Sequence, residues 1–348
     1  MRVTIVGGSG FIGTRLIDLL RQEGVALVPP TANSTREEKR REETEIRNVD
    51  LLPSRFFNDI TTIGDARRQD DMDRAMEGTD IAVLLASVHH DNVRPVELYY
   101  ETNVGGMETT LRAMERNGVK RLVFFSSVAV YGLNKKNPSE EHPTDPFNHY
   151  GRSKWQAEEM LQRWHATHSD WNVNIVRPTV IFGERNRGNV YNLLHQIASG
   201  KFLMVGKGDN RKSMAYVGNV VAFVKFLIEN RTEGYNVYNY VDKPDFTMND
   251  LVEHVEKVLG KHVPSTHFPY WLGMAGGRCF DLLAWLTRRK FTISSVRVKK
   301  FCATTEFDSS KMLSSGFVPP YTLAEGLART LEFEFVHPRT DSVTFQTE

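Results

Sequence analysis

A serine, a tyrosine and a lysine stand at a spacing that suits proton transfer to and from a hydroxyl group. Ser127 follows the apolar run Leu122–Phe125, which is typical of a parallel strand covered on both faces. Tyr150 and Lys154 are four residues apart, so a helix would place them on one face. An ammonium beside a phenol lowers a pKa that is ordinarily about 10. Such a phenol can take a proton from a sugar hydroxyl and return it.

Two elements must position this trio. Ligands of open α/β sheets bind outside the carboxyl ends of the strands, which is where Ser127 would stand. Tyr150 would open the following helix. A Tyr-x-x-x-Lys pattern is common by chance, and a surface tyrosine beside a solvated lysine is its ordinary interpretation. The serine upstream and a nucleotide-binding pattern at the chain start favour a functional site instead.

The first residues carry that nucleotide-binding pattern. The β-rich run Val3–Val6 leads into Gly7, Gly10 and Gly13, and Thr14–Gln22 continues as an amphipathic helix. Glycines between a strand and a helix let the backbone approach a pyrophosphate at the helix N-terminus. We therefore predict a dinucleotide site at this turn.

The second strand leaves the choice of dinucleotide open. We predict this strand at Gly24–Val28, and an NAD-preferring fold usually offers an acid at its end for the adenosine ribose. Pro29–Thr31 stand there instead. Residues 34–47 form a charge run that we predict to be a solvated loop or helix. Arg36 in this run could meet a 2′-phosphate, so we predict NAD with NADP as the alternative.

The remaining pattern alternates strands and helices. The predicted fold is α/β, a Rossmann-type doubly wound parallel sheet with a smaller, mainly helical C-terminal substrate domain. We assign residues 1–177, with 217–244 returning, to the NAD(P)-binding domain and residues 178–216 and 245–348 to a substrate-binding cap. Further predicted strands and helices are Phe56–Ile63, Ile81–Ala86, Tyr99–Asn117, Val173–Pro178, Tyr191–Ala198, Val217–Ile228 and Tyr235–Val241.

Composition excludes several classes of function. The net charge is +1, which gives no electrostatic basis for nucleic-acid binding. Two cysteines and a start without a signal peptide suit a reducing cytoplasm, and no apolar run is long enough to span a membrane. His89 and His90 lack a third ligand at convincing spacing, so we predict no metal site.

Taken together, the motifs resemble the extended short-chain dehydrogenase/reductase family, in its NAD-dependent epimerase/dehydratase branch. The resemblance covers nearly the whole chain. It rests on Gly7–Gly13, Gly64-Asp65, Asn103-Val104, Ser126-Ser127, Tyr150 with Lys154, Arg177-Pro178 and Asp308–Lys311. Longer stretches at 126–135, 145–151, 181–192 and 294–301 are similar to the members of this branch that act on lipid-linked sugars.

The resemblance implies roles for particular residues. Ser127 would bind the C4 oxygen of a sugar, Tyr150 would act as acid and base, and Lys154 would lower its pKa and hold the nicotinamide ribose. The cofactor-binding residues would be Gly7, Gly10, Phe11, Ile12, Gly13, Asp65, Ala66, Ala86, Tyr150, Lys154 and Pro178. The substrate-binding residues would be Ser127, Asn189, Lys212, Arg297 and Thr305, the last being small enough to admit an N-acetyl group.

The implied activity is 4-epimerisation through a 4-keto sugar, interconverting GlcNAc and GalNAc on undecaprenyl diphosphate for surface polysaccharide. Dehydratases of this branch need an acid pair after the serine, where Val128-Ala129 stand, so dehydration lacks its acid. The alternatives are a UDP-sugar epimerase, another NAD(P)-dependent sugar oxidoreductase, and a non-catalytic NAD(P) sensor.

The partners we predict are the lipid-linked or nucleotide sugar and a second copy of the chain. A peripheral contact with the inner face of the plasma membrane is predicted at residues 268–290. Its apolar side chains would be Tyr270, Trp271, Phe280, Leu283 and Trp285, next to the basic cluster Arg288, Arg289 and Lys290.

Overall fold

The fold is built on a twisted parallel sheet. The computed structural model describes residues 1–26, 41–42, 44–90, 93–200, 202–230, 232–263, 267–287, 294–338 and 343–347. Within these residues the main sheet has seven strands, all paired in parallel, in the order β7-β6-β5-β4-β1-β2-β3. The strands are β1 (Arg2–Val6), β2 (Glu45–Asp50), β3 (Thr61–Ile63), β4 (Ile81–Leu84), β5 (Arg121–Phe125), β6 (Asn172–Pro178) and β7 (Tyr235–Tyr240).

Helices cover both faces of this sheet, as the predicted fold class requires. Leu16 and Leu20 on one face and Met72 and Leu111 on the other are buried, because apolar strands present side chains to both sides. The helices are α1 (Phe11–Glu23), α2 (Gln69–Met76), α3 (Glu97–Tyr100), α4 (Gly106–Arg116), α5 (His149–Thr167), α6 (Asn189–Ala198), α7 (Val217–Glu229), α8 (Met248–Leu259), α9 (Tyr270–Thr287), α10 (Ser295–Cys302), α11 (Ser310–Ser314) and α12 (Leu323–Leu331).

The strand beside β1 is not the predicted one. Val25–Ala26 form only a two-residue antiparallel pair with Arg41–Glu42, and the rest of the predicted strand lies outside the described residues. The place next to β1 belongs to β2, whose first residues fall in the charge run predicted to be solvated. Ile46 and Val49 are buried there. Their burial against the core outweighs the charges, which alternate onto more exposed positions.

Two other predicted elements are shorter or interrupted. The strand predicted at Phe56–Ile63 is reduced to β3, since a 3₁₀ turn occupies Asn58–Ile60. The helix predicted at Tyr99–Asn117 is present as α3 and α4, joined by a π turn at Glu101–Gly105. The π turn brings Asn103 into the interior, where it is 3% exposed.

The cap continues the core of the sheet. Val180–Phe182 pair in parallel with Met214–Tyr216, and one continuous apolar cluster runs from Val3 through α7 to Leu251 on α8 and Leu327 on α12. β7 joins the main sheet beside β6. The division of the chain into two domains stays a prediction.

Candidate active site

Ser127, the predicted catalytic serine, stands just after β5 ends. Ser126 N still donates to Val176 O at 2.8 Å, so the strand is held in the sheet up to this residue. Ser127 then caps a 3₁₀ turn at Val128–Tyr131, and its Oγ accepts from Ala129 N at 3.1 Å. A capped turn fixes the side chain of Ser127 at the carboxyl edge of the sheet, in the cleft.

Helix α5 begins in direct contact with this turn. Asn148 caps the helix by accepting from Gly151 N at 2.8 Å. A Cβ at Gly151 would lie 2.6 Å from Ala129 O, so only glycine permits the approach. The contact brings Tyr150, one residue earlier, within hydrogen-bond reach of Ser127.

Lys154 lies one turn further along α5, with its ammonium inside the protein. It is 2% exposed, and its Nζ donates to Phe125 O at 2.8 Å and lies 5.1 Å from the centroid of the Phe124 ring. Burial lowers the pKa of Lys154 to about 7, while the carboxylate of Glu158 acts in the opposite direction. The ammonium therefore loses its proton more easily than a solvated lysine does.

The pKa of Tyr150 shifts in the direction opposite to the prediction. Burial raises the pKa of this phenol, and the hydrogen bond from Ser127 opposes the rise. Lys154 does not produce the predicted lowering, and its ammonium donates instead to the backbone of Phe125. The predicted electrostatic effect of Lys154 on the phenol was therefore wrong, and the catalytic roles of the three residues stay predictions.

A buried polar network supports the residues on either side of Ser127. Ser126 Oγ donates to Glu158, and Arg177 donates to the same carboxylate through Nε at 3.0 Å and Nη2 at 2.5 Å. Arg177 Nη1 also donates to the hydroxyl of Tyr131 at 2.7 Å, which donates to Asn239 Oδ1 at 2.7 Å. These hydrogen bonds replace the water that the charges of Glu158 and Arg177 lose on burial, so the ion pair can stay inside the protein.

Asn103 joins the end of β4 to α5. Its amide Nδ2 donates to Val88 O at 3.0 Å and to Ser153 Oγ at 2.8 Å, while its Oδ1 accepts from Val88 N at 2.9 Å. Ser153 Oγ in turn donates to Tyr150 O at 2.8 Å. The helix that carries Tyr150 and Lys154 is thereby fixed relative to the neighbouring strand.

At Gly7 and Gly13 the glycine turn is packed too closely for any larger residue. Gly7 adopts φ = 89°, and a Cβ there would lie 2.4 Å from Ala86 N. A Cβ at Gly13 would lie 2.4 Å from Gly8 Cα. Gly10 caps α1 with its carbonyl, which accepts from Thr14 N at 2.9 Å. The turn therefore leaves its backbone amides at the start of α1, as a pyrophosphate site requires.

The first residues of α1 complete this turn. Phe11 is 6% exposed, and Ile12 is partly buried against the core. They hold the start of α1 on the sheet.

The acid that we predicted to be missing after the second strand is Asp50. It ends β2, and its Oδ2 accepts from Ser9 N at 2.9 Å, within the glycine turn. Asn48 on the same strand accepts from Gly8 N at 2.9 Å. An acid at the end of the strand beside β1 is the arrangement that suits an NAD ribose. The prediction of a missing acid was wrong because the strand was assigned to the wrong residues.

Two buried hydroxyls lack a partner at the carboxyl edge. Ser87 Oγ, just beyond β4, and Thr179 Oγ1, directly after Pro178 at the end of β6, have no hydrogen-bond partner among the described residues. Buried hydroxyls are normally satisfied, so these two atoms point to a polar ligand along the edge. With the glycine turn and Asp50, they fit a bound dinucleotide, and the sequence motifs had not indicated either hydroxyl.

Asp65 and Ala66, two of the predicted cofactor-binding residues, lie in the turn that follows β3. Asp65 N donates to Asp71 Oδ2 at 2.9 Å, and Ala66 is 7% exposed. The neighbouring guanidinium of Arg67 lowers the pKa of the Asp65 carboxyl. An ionised Asp65 is therefore held in a defined position beside this turn.

The structure brings two of the predicted substrate residues side by side. Lys212 is paired with Thr305, and Ser213 N donates to Thr305 O at 2.8 Å. Burial lowers the pKa of Lys212 to about 8. Asn189 is the exposed first residue of α6. Arg297 lies on α10, but its side chain is outside the described residues.

An aromatic contact links this part of the cap to the reacting turn. The rings of Tyr131 and Phe307 lie 6.2 Å apart, and Phe307 N donates to Ser213 Oγ at 3.2 Å. Tyr131 closes the turn that Ser127 caps. The Lys212 segment is thus connected to the edge that carries Ser127.

His89 and His90 stack at 4.4 Å beyond β4. Burial lowers the pKa of His89, and the neighbouring His90 and Lys154 act in the same direction. Within the described residues, no three side chains of the metal-binding types converge to hold an ion. The lowered pKa favours the neutral form of the His89 ring.

The comparison with protein families decides the class. The sequence profile of the NAD dependent epimerase/dehydratase family matches residues 3–240. The chain belongs to this family. The resemblance inferred from the sequence motifs is confirmed, and with it the dependence on NAD that defines the family.

Relatives place this family member more closely. The chain is 56% identical over 347 residues, covering 99% of both chains, to the N-acetyl-alpha-D-glucosaminyl-diphospho-ditrans,octacis-undecaprenol 4-epimerase of Escherichia coli O157:H7. It is 25% identical to a UDP-glucose 4-epimerase of Vibrio cholerae, over 95% of this chain and 94% of the relative. The UDP-glucuronic acid 4-epimerase of Bacillus cereus, solved with NAD, shares the fold: TM-score 0.70, 18% identity, 95% of this chain and 98% of that chain.

Proposed function

We propose that the chain is a C4 epimerase that interconverts the GlcNAc and GalNAc forms of a sugar carried on undecaprenyl diphosphate. The observation that carries the proposal is the 56% identity, over 99% of both chains, to the E. coli relative named for that activity. The meeting of Ser127, Tyr150 and Lys154 at one sheet edge supports the reaction type. Such lipid-linked sugars serve the synthesis of surface polysaccharide.

In this proposal Tyr150 takes the proton of the C4 hydroxyl and later returns it. The single hydroxyl proton of Ser127 stabilises the ionised phenol in the free site, and it would be donated to the C4 oxygen when the sugar is bound. When bound, NAD supplies a reversible hydride acceptor for C4, so the sugar can pass through a 4-ketone. The ketone would turn in the site, so that the hydride returns to its other face and Tyr150 returns the proton to the C4 oxygen, which inverts C4.

Lys154 holds the cofactor side of the same edge. Its ammonium, already donating to Phe125 O, has further protons for the hydroxyls of a ribose. Asp50 would accept from the adenosine ribose, and the backbone amides of residues 10–13, at the start of α1, would face the pyrophosphate. Pro178 would lie near the carboxamide.

Five further residues would complete the cofactor site. Ser87 and Thr179 would gain the partners that they lack, and the turn at Asp65 and Ala66 would bracket the adenine. With Ala86, which packs on Gly7, these residues lie along the sheet edge from β6 to β3.

The cap would recognise the sugar diphosphate. Lys212 supplies a cation for the diphosphate, and Asn189 and Arg297 supply further donors from α6 and α10. Thr305 stands beside Lys212, and its small side chain leaves room for the N-acetyl group at C2.

Helix α9 supports the lipid-linked form of the substrate. Small or short side chains at Gly273, Gly277 and Asp281, four residues apart, face the protein: Gly277 packs against the Ser295 backbone, and Asp281 Oδ2 accepts from Ser295 Oγ at 2.5 Å. The large apolar side chains consequently point outward. Seven of them are 42–75% exposed: Tyr270, Trp271, Leu272, Leu282, Leu283, Trp285 and Leu286.

We therefore propose that α9 rests on the inner face of the plasma membrane, where the undecaprenyl tail lies. Within the described residues, every helix falls short of the length and apolar character that crossing a bilayer would require. Phe280, predicted to join this surface, is partly buried, and Arg288, Arg289 and Lys290 lie outside the described residues. A homodimer is proposed as well, on the family resemblance, and light scattering would test it.

The decisive experiment offers the purified protein two substrates. GlcNAc-diphosphoundecaprenol in vesicles and UDP-GlcNAc are supplied separately, and the released hexosamine is analysed for GalNAc, with Tyr150→Phe as the inactive control. We expect conversion of the lipid-linked sugar. Conversion of UDP-GlcNAc alone would favour a UDP-sugar epimerase, the activity named for the V. cholerae relative. No conversion of either, with NAD bound, would favour a sensor.

A further inference from the structure

The end of the chain returns to the cofactor side of the molecule. Residues 343–347, called here the C-terminal clasp, run parallel to Asn186–Arg187, with Phe345 N donating to Arg185 O at 2.9 Å. The ring of Phe345 lies 5.9 Å from that of Phe11 and 6.3 Å from that of Phe56. One short segment thus contacts both the first residue of α1 and the loop that follows Asp50.

The clasp is held on its other side by the segment that follows β6. Arg185 Nη1 donates to Val343 O at 3.1 Å, and Thr347 Oγ1 donates to Asn186 Oδ1 at 2.6 Å. Asn186 is 3% exposed, and Arg185 N donates to Glu334 Oε1 at 2.6 Å. The clasp is therefore fixed to a buried support, and its aromatic ring projects onto the cofactor side.

We infer that the C-terminal clasp slows the release of the dinucleotide by holding Phe11 and Phe56 in place. The inference rests on the proposed function, in which the glycine turn and the loop after Asp50 flank the dinucleotide. Neither segment can move away from the ligand without separating one of these rings from Phe345. Phe345 is accordingly a positioning residue that acts through Phe11 and Phe56.

Slow release is compatible with this chemistry. An epimerase returns the hydride to the sugar from which it came, so the dinucleotide has no need to leave between turnovers. A dehydrogenase that exchanges its cofactor in each turnover would be slowed by such a clasp.

The test measures the release of NAD from the full-length protein. Bound NAD is displaced by an excess of its fluorescent etheno analogue, without any sugar. Phe345→Ala should release NAD roughly tenfold faster than the wild type, because two aromatic contacts are lost. Gln346→Ala, an exposed position on the same strand, is the matched control and should release NAD at the wild-type rate. Phe345→Tyr keeps the ring and should restore slow release.

Unfolding is separated from release by thermal melting in saturating NAD, where Phe345→Ala and Gln346→Ala should differ little. If Phe345→Ala fails to fold, Thr347→Val removes the hydrogen bond to Asn186 and should still accelerate release. Wild-type release rates in the folded variants would overturn the inference. Because no sugar is present, failure of the proposed epimerase activity would leave this result unaffected.

Discussion

The carboxyl edge of the sheet, where Ser127 stands, buries charged side chains, whereas helix α9 exposes apolar ones. At the edge, Glu158 and Arg177 are 1% and 3% exposed, and their charges are paired inside the protein. On α9, Trp271 and Trp285 leave 69% and 75% of their surface exposed. Buried charges that are paired with each other need no partner outside the chain. Exposed indole rings, by contrast, are stabilised only when an apolar surface outside the chain covers them. The first region is where we propose that the chemistry takes place, and the second is where we propose that the protein contacts the membrane.

The sharpest test of this contrast is Tyr150→Phe. We expect turnover to fall by about 10²–10⁴-fold, the usual contribution of a positioned acid–base group, while bound NAD is retained. Epimerisation rate and NAD content of the same preparation are the two measurements. Tyr191→Phe, which removes a phenol hydroxyl on α6, is the control. A Tyr150→Phe protein with more than about a tenth of the wild-type rate would remove Tyr150 from the acid–base role.

A second test uses the buried ammonium of Lys154. Its pKa is about 7 in the fold, against roughly 10.4 when unfolded. Between these values the unfolded state binds more protons, so the free energy of unfolding of NAD-free protein should rise with pH. We expect a gain of about 2 kcal/mol from pH 7 to pH 9, measured by urea unfolding.

The Lys154→Met variant provides the control for this gain. It has no ammonium to titrate, so its pH dependence over the same interval should be flatter. Equal slopes for the two proteins would show that Lys154 keeps an ordinary pKa in the fold.

The exposed side is tested by replacing Trp271 and Trp285 with serine. We expect binding to anionic vesicles to weaken by roughly tenfold, because the loss of two interfacial indoles removes apolar area from the contact. Co-sedimentation measures the binding. Val318→Ser, at 81% exposure outside α9, should leave it unchanged. Unaltered vesicle binding by the double variant would assign α9 to the cap alone.

The smallest effect is expected at the packed face of α9. Asp281→Ala removes the acceptor for Ser295 N and Ser295 Oγ, which should loosen α9 against α10 by about 1 kcal/mol. Hydrogen exchange over residues 270–302 would record the change. Exchange at α5 should stay as in the wild type, and a parallel change there would indicate that the two regions are coupled.

Local sequence patterns were enough to indicate Ser127, Tyr150 and Lys154 as candidate residues. The apolar strand before Ser127 and the four-residue spacing of Tyr150 and Lys154 lie within one stretch of chain. Thr305 was reached only through the family resemblance, and its pairing with Lys212 was not predicted. The predicted direction of the Tyr150 pKa shift was wrong, because burial depends on the surrounding fold and cannot be read from the spacing of two residues.

The strand beside β1 was missed for a different physical reason. β2 follows a stretch of charges, and its apolar residues Ile46 and Val49 are few enough to be hidden among them. Alternation of Ile46, Asn48 and Asp50 was the available signal. Ser87 and Thr179 could not be found, because an unsatisfied hydroxyl is visible only when its neighbours are known.

The position of β1 between β4 and β2 has a consequence for cutting the chain. A break between Ala26 and Glu45 would yield one fragment with β1 and α1 and another with the six remaining strands of the main sheet described here. The larger fragment would lack the strand that joins its two halves, and the smaller would have no sheet to enter. Each fragment would depend on the other to fold, so that reassembly of the two could serve as a reporter of their encounter.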